Sequence, residues 1–396
     1  MSQFYDLASL VVIPSGYKAS TIYAQKPLTT DGQLSFSRAS TATRVNASGL
    51  IEAVASNVPR LDYLGSSCPR LLLEPQRTNV ITYSEDVTTW GQNQTPVVTL
   101  NNGTAPDGNT TADKVVVNAA SEGFYNFSGG NVASGTTYTT SIFIKYISGA
   151  TNLYFGFAGT GFGGDNLNSF NIQNGTVTSS AAGNTCSVVS YGNGWYRLID
   201  TKTASATNTG GFILYGVGSP ETQYYVWGAQ LEAGAYATSY IPTLGASVTR
   251  LKDDCYKFGI SSLIGQTEGT LFLDFDFVSG VNANYGIIYQ AAFTTYIYIN
   301  QQTSGSISGQ IQGVGGFAFT VAKPTGRYKC ALAYKSGDSA FFVNGVQVGT
   351  TNTTTFTPVA MDQISLAVSD ETNTNNQALL FKTRLTNAQL AELTAL

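Results

Sequence analysis

Two carboxylates, Asp274 and Asp276, sit two residues apart in the stretch GTLFLDFDFVSG. There Leu271, Leu273, Phe275 and Phe277 alternate with Phe272, Asp274 and Asp276, the period-two pattern of a half-buried strand. On such a strand both carboxylates share a face at roughly 7 Å, and acids paired at about 5 to 10 Å are what glycoside hydrolysis uses. Phe277-Val278 supplies no third acid, and the chain contains no histidine, which removes Ser-His-Asp and Cys-His catalysis and most zinc chemistry. Asp274 and Asp276 are therefore expected to line a solvated sheet face or a groove that holds sugar without cutting it, and the protein is not expected to be an enzyme.

The acidic residues allow one other chemistry. Asp338, Asp362, Asp370, Glu371 and Asn373 fall in predicted loops or strand ends, where oxygen ligands suit a hard cation such as calcium. Their spacing is not diagnostic, and hydrated loop carboxylates are the plainer expectation; no other cofactor is implied. Sugar recognition needs exposed flat rings with polar neighbours, because a pyranose offers an apolar face rimmed by hydroxyls. Candidates are Trp195, Tyr196, Tyr224, Tyr225 and Trp227 in the middle of the chain and Tyr285, Tyr289, Tyr296 and Tyr298 further on. Tyr296 and Tyr298 alternate with Ile297 and Ile299. Half or more of these rings must fill cores, and Trp195 and Trp227 are expected to be buried.

The elements that must position these residues are strands. The 396 residues exceed what one core usually supports. Only 11% are charged, and 42 Gly, 23 Tyr and 21 Phe describe a polar, aromatic-rich β protein with many turns. A net charge of −4 argues against a nucleic-acid binder and leaves neutral sugars open. Cys68, Cys186, Cys255 and Cys330 are far apart and read as single thiols, most of them buried. No stretch approaches membrane-spanning length, and no signal peptide is read at the N-terminus. Residues 80–250 hold short β-branched and aromatic runs punctuated by Gly, Asn and Ser, with Asn174-Gly175 and Asn193-Gly194 as hairpin turns. Residues 259–396 repeat the pattern, turn at Asn344-Gly345, and close on a short helix with Thr386 as N-cap and Leu390 and Leu393 inward. The reading is all-β: two antiparallel sandwiches, 80–250 and 259–396, joined by a linker near 245–257.

Residues 1–79 form an N-terminal region of short strands and turns, of which 4–34 cannot bury enough to fold alone and are expected to order against a neighbouring copy or a larger body. Beyond them Arg38, Arg44, Arg60, Arg70 and Arg77 suggest a docking surface, unless they pair with Glu52, Asp62 and Glu74. The phrases FSRASTATRVNASGLIEAVASNVPRLDY and LLLEPQRTN resemble a module of tailed-bacteriophage head fibres, tail fibres and spikes. The run YVWGAQLEAGAYATSYIPTLGASVTR, with Trp90 upstream, resembles carbohydrate-binding-module-like jelly rolls of the same proteins. GTLFLDFDF, RYKCALAY, AFFVNGVQV and LLFKTRLTNAQLAEL are similar in order to laminin G and pentraxin-type concanavalin A-like domains, a fold shared by lectins, enzymes and structural modules.

The resemblance implies a virion-surface fibre, anchored to capsid, tail or portal proteins through residues 1–79 and self-associating, most plausibly as a trimer. Its sandwiches would bind host or environmental glycans. The alternatives are a purely capsid-decorating protein and a polysaccharide depolymerase. Glucan-cutting concanavalin A-like enzymes carry a third acid and normally glutamates, which this strand lacks.

Overall fold

The computed structural model describes residues 2–218, 221–277, 283–289, 296–302, 304–313, 315–357, 360–367 and 373–396. Antiparallel strands build four large sheets, packed face to face as two sandwiches. Among the described residues no helix is long and apolar enough to cross a membrane.

The middle sandwich joins two six-stranded sheets around Val115, Phe124, Ile142, Phe155, Phe212 and Val226. Trp90 closes it edge-on against Phe124 and Phe212, with ring centroids 6.1 and 5.2 Å away. Asn193-Gly194 and Asn344-Gly345 turn tight hairpins with both residues at positive φ, 52° and 79° and then 49° and 81°, which strand twist demands of a two-residue loop. At Asn174-Gly175 only the glycine is at positive φ. Asn171 organises that turn instead: its side chain accepts from the Gln173 and Asn174 N–H groups and its carbonyl from Gly175.

The second sandwich packs an eight-stranded sheet on a nine-stranded one, and the expected division at residue 79 is absent from it. Leu10–Val12 pairs with Asn373–Phe381, Leu10 opposite Leu380. Arg60–Asp62 and Arg70–Leu73 extend the same sheet, while Tyr17–Lys18, Thr21–Ile22 and Leu34–Ser37 extend the other. Leu10, Val12, Ile22, Leu34, Phe36, Leu71 and Leu73 share one core with Leu271, Leu273, Phe275, Phe277, Ile297 and Ile299. The N-terminal segment needs a partner to bury its apolar residues, and that partner is the chain's own C-terminal region. Residues 245–257 are no linker either: Val248–Arg250 pairs with Arg77–Asn79, and Asp254–Phe258 is a strand of the nine-stranded sheet.

Helix Asn387–Thr394 packs Leu390 and Leu393 against Phe4 and Phe272. Thr386 caps it in a reciprocal box with Gln389. Thr386→Ala is expected to cost about 1 kcal/mol, measured as a shift in the urea unfolding midpoint.

Two of the five arginines are buried, and Arg44, Arg70 and Arg77 are half-buried against partners within the chain. Arg38 and Arg60 are 1% and 0% exposed, so neither can dock on another body. Arg38 donates to Asp253 at 3.0 Å. Arg60 bridges Asp253 and, at 2.5 Å, Glu74, and Arg250 reaches Glu74 at 2.8 Å. Ser239, from the end of the middle sandwich, donates its N–H and hydroxyl to Glu74 at 2.7 and 2.6 Å. Burial alone would lift the Glu74 carboxyl, but Arg250, Arg60 and Ser239 outweigh it and hold the group at about 2. Arg44 pairs with Glu52 at 2.7 Å across the hairpin Ala42–Val45/Ile51–Val54, and Arg70 pairs with Asp276 at 2.6 Å. The Arg77 guanidinium lies 5.4 Å from the centre of the Tyr236 ring. Asp62 instead takes the backbone N–H groups of Val45 and Leu64.

The same hairpin lays Val45 and Ile51 on the outer face of the middle sandwich against Phe143, Trp195, Trp227 and Tyr240. Both tryptophans are buried, as their strand motifs imply, but at this joint and not between the two middle sheets. The segment 35–79 is thus the piece that fastens one sandwich to the other. All four cysteines are free; Cys255 and Cys330 are buried, Cys186 half-buried and Cys68 exposed.

Candidate functional site

The nine-stranded sheet turns Ile288, Ile297, Ile299, Ile311 and Ile364 to the core. Residues opposite one another on adjacent strands share a face, so the other side can be read from the register. Phe258, Gln363, Tyr289, Tyr296 and Gln312 lie side by side across neighbouring strands, and Tyr256, Ser365, Ile287, Tyr298 and Gln310 form the adjoining row. The Tyr256 and Phe258 rings lie 4.5 Å apart, tilted by 33°; Tyr296 and Tyr298 lie at 5.2 Å and 45°. Phe258 is 52% exposed, and Tyr256, Tyr296 and Tyr298 are half-buried. Tyr289 and Ile287 are buried among them.

Amides tie the rings in place. Tyr298 donates its hydroxyl to Gln310, which receives Gln312 at 3.2 Å and donates to Asn300 at 3.3 Å. Burial pushes the Tyr298 phenol up, and burial followed by the Asp362 carboxylate does the same to Tyr289. Asp362, whose backbone N–H bonds the Tyr289 carbonyl at 3.1 Å, keeps one buried carboxylate oxygen without a hydrogen-bond partner. The result is a partly exposed aromatic surface of tilted rings set with amides. It suits stacking against a sugar ring while bonding its hydroxyls.

Other candidate residues lie elsewhere. Asp274 is 2% exposed and held by both nitrogen arms of Arg327 at 2.8 and 2.7 Å, and Asp276 is engaged by Arg70 and Thr374. Both belong to the eight-stranded sheet, away from the tyrosine rows, so the expectation of an open carboxylate groove is corrected: arginines occupy it. Tyr224 and Tyr285 are each 0% exposed. Tyr224 fills the middle core, and Tyr285 stacks on Phe275 at 3.9 Å, so neither can meet a ligand. Tyr225 packs at the joint between sandwiches, its ring over Gly103. The described calcium candidates do not converge. Asp338 pairs with Arg384 at 2.9 Å, Asp362 sits by Tyr289, and Asn373 is buried against the Leu366 carbonyl. Asp370 and Glu371 lie outside the described residues. Among the described residues no group of three His, Cys, Asp or Glu side chains could hold a metal ion.

Tyr256, Phe258, Gln310, Gln312 and Gln363 escaped the sequence reading. The signal was present as alternation, Tyr256 and Phe258 flanking Lys257 and Gln310 and Gln312 flanking Ile311. Only the strand register shows that these pairs meet Tyr296 and Tyr298.

Fold and site together define an all-β, two-sandwich protein with an aromatic and amide-lined sheet face. No family model and no curated protein matches the chain. Among solved structures it is similar to the carbohydrate-binding module CBM40 of the Ruminococcus gnavus IT-sialidase bound to α2,3-sialyllactose, with 11% identity, a TM-score of 0.30 and coverage of 35% of this chain and 91% of that one. It is similar also to domain 4 of the Geobacillus stearothermophilus arabinanase AbnA in complex with arabinotriose, with 14% identity, TM-score 0.31 and 41% and 83% coverage. A third likeness is to a SAP-like pentraxin of Limulus polyphemus, with 10% identity, TM-score 0.26 and 32% and 68% coverage. Likenesses at this level carry no weight for function, which rests on the residues themselves.

Proposed function

We propose that the protein binds neutral glycans reversibly, without cleaving them, through the face built by Tyr256, Phe258, Tyr296 and Tyr298. The observation that carries this is the pairing of partly exposed neighbouring rings with the Gln310, Gln312 and Gln363 amides on one side of one sheet. The carboxylate pair that the sequence offered for cleavage, Asp274 and Asp276, is bound by Arg327 and Arg70, which favours binding over cutting. The resemblance of residues 35–79 to phage modules extends the proposal to a tailed-phage fibre on the virion surface, on head or tail, acting as a homo-oligomer, most plausibly a trimer. Weak single sites then become useful through many copies engaged at once. Attachment to capsid, tail or portal proteins must use exposed residues of the folded body, since the Arg38 and Arg60 guanidiniums and most apolar side chains of the N-terminal segment are buried.

The test is a glycan array and affinity electrophoresis in neutral polysaccharides with the full chain. Tyr296→Ala with Tyr298→Ala is expected to weaken binding about tenfold, at roughly 0.5–1.5 kcal/mol per ring, with little change in melting temperature. Wild-type protein that is retarded by no neutral polysaccharide and marks no glycan on the array overturns the proposal.

A further inference from the structure

The joint between the sandwiches holds a cleft of about 200 Å³. Its walls come from both bodies: Val45 and Ile51 from the hairpin, Asp62 and Leu72 from the eight-stranded sheet, and Arg197 and Ile199 from the middle sandwich. Its rim is made of Arg44, Leu64, Arg70, Val189, Tyr191 and Thr374, each of which keeps part of its surface in solvent. Five charged side chains line the cleft, and three of them are already neutralised. Arg44 is paired with Glu52, Arg70 with Asp276, and Glu74 with Arg60 and Arg250. Asp62 and Arg197 are the other two. Among the described residues no cationic group lies within ion-pair distance of the Asp62 carboxylate, and no carboxylate within that distance of the Arg197 guanidinium.

Both sit on the floor of the cleft, 6% and 3% exposed. Asp62 accepts only from the Val45 and Leu64 N–H groups, at 3.4 and 3.3 Å. Arg197 donates to the Ser141 hydroxyl at 3.1 and 2.8 Å and to the Thr238 carbonyl at 2.6 Å, and lies 5.2 Å from the centre of the Phe143 ring. None of these partners is charged. Burial raises the Asp62 carboxyl in spite of its two N–H groups and the more distant Arg70 charge. Charges taken out of water are normally paired. Two of opposite sign, left unpaired in one cleft whose other charges all have partners, mark a place for a ligand that brings what they lack. The space and the walls narrow its identity. Drug-sized molecules occupy about 300–1,000 Å³, so this cleft takes something smaller. Val45, Ile51, Leu72, Val189 and Ile199 make much of the wall aliphatic. A neutral sugar would leave both charges uncompensated, and a simple anion or cation would satisfy one and face the other. A small zwitterion with an aliphatic side chain answers both charges and the walls.

We infer that this cleft binds a free aliphatic α-amino acid, its ammonium on Asp62, its carboxylate on Arg197 and its side chain against the aliphatic walls. The cleft shares no residue with the tyrosine face, so the inference stands apart from the glycan reading. Because both sandwiches supply the walls, the bound amino acid adds contacts across the joint.

The experiment is calorimetric titration of the full chain with valine and leucine, and with two fragments of leucine: isocaproate, which lacks the ammonium, and isoamylamine, which lacks the carboxylate. Valine or leucine should bind, and each fragment should bind at least about tenfold more weakly than leucine, since each has lost one charge-assisted contact. Asp62→Asn should weaken leucine about tenfold and leave isocaproate unchanged, a distinction that a merely structural role for Asp62 would not produce. Val189→Trp, which fills the rim of the cleft, should abolish binding at an unchanged melting temperature and keeps the test decisive if Asp62→Asn fails to fold. No binding of valine or leucine at millimolar concentration overturns the inference. So does a fragment that binds as tightly as leucine, or leucine binding that survives Asp62→Asn or Val189→Trp intact. Glucose is titrated alongside, and glucose binding that Val189→Trp abolishes while the amino acids fail assigns the cleft to a sugar and overturns the inference as well.

Discussion

A chain lacking residues 1–79 is expected to lose the C-terminal sandwich altogether, leaving at most the middle sandwich folded. The deletion removes Leu10–Val12, Arg60–Asp62 and Arg70–Leu73 from one sheet and Tyr17–Lys18, Thr21–Ile22 and Leu34–Ser37 from the other. It strips Leu10, Val12, Ile22, Leu34, Phe36, Leu71 and Leu73 from the core, each less than 4% exposed. At roughly 1.5–3 kcal/mol for each buried aliphatic or aromatic side chain, about 10–20 kcal/mol is lost, as much as or more than the 5–15 kcal/mol that holds a typical domain together. Hydrogen exchange read by mass spectrometry is the check: strand Glu268–Phe277 should exchange freely in the truncated protein. Protection there like that of the full chain would show that the segment is dispensable.

The second large effect is expected at Glu74. Replacing one member of a buried ionic cluster strands its partners, at a cost of about 3–5 kcal/mol. Glu74→Gln leaves Arg60 and Arg250 facing each other with only Asp253 between them and solvent exclusion on all sides. Urea unfolding at neutral pH should show that loss, and a change below about 1 kcal/mol would mean that the cluster adds little. Acid supplies the second half of the test. The Glu74 carboxyl is held at about 2 against an ordinary 4.5, and a folded value below the unfolded one gives stability that is full above the unfolded value and fades as pH falls toward the folded one. Wild type should therefore lose about 3 kcal/mol from this residue between roughly pH 5 and pH 2, and Glu74→Gln should not. Asp62, Asp113 and Asp200 are raised by burial and act with the opposite sign, stabilising in acid and losing that contribution as pH rises through their folded values. The difference between wild type and variant, not the raw wild-type slope, isolates Glu74.

How far the sequence carried is clearest from particular stretches. Leu271, Leu273, Phe275 and Phe277 announced their strand and its core face by alternation alone, and Asn193-Gly194 and Asn344-Gly345 announced their hairpins because few other dipeptides tolerate their φ values. Thr386 announced its helix. These are local signals. Of the arginines, Arg44 and Arg60 take the partners that the sequence offered as the alternative to docking, Glu52 and Glu74, but the partner shared by Arg38 and Arg60 is not local: Arg60 meets Asp253, 193 residues away, and Arg38 meets the same side chain across 215. Nothing in the spacing of Arg38, Arg44, Arg60, Arg70 and Arg77 distinguishes a cation aimed at a foreign surface from one aimed at a distant carboxylate of its own chain. The same holds for the tyrosines. Alternation put Tyr296 and Tyr298 opposite Ile297 and Ile299, but Tyr285 and Tyr224 look alike in sequence and are core. Alternation says that a residue leaves the plane of a sheet, not what waits on that side.

The pairing of Leu10–Val12 with Asn373–Phe381 fixes the order in which the molecule can be made. During translation the first strands leave the ribosome some 360 residues before their neighbour exists, so their apolar faces must wait, unzipped, while the middle sandwich assembles from contacts that are close in sequence. The strand Asn373–Phe381 is the one that closes the body. Until it is made the nascent protein carries unpaired apolar strands, the kind of surface that chaperones shield.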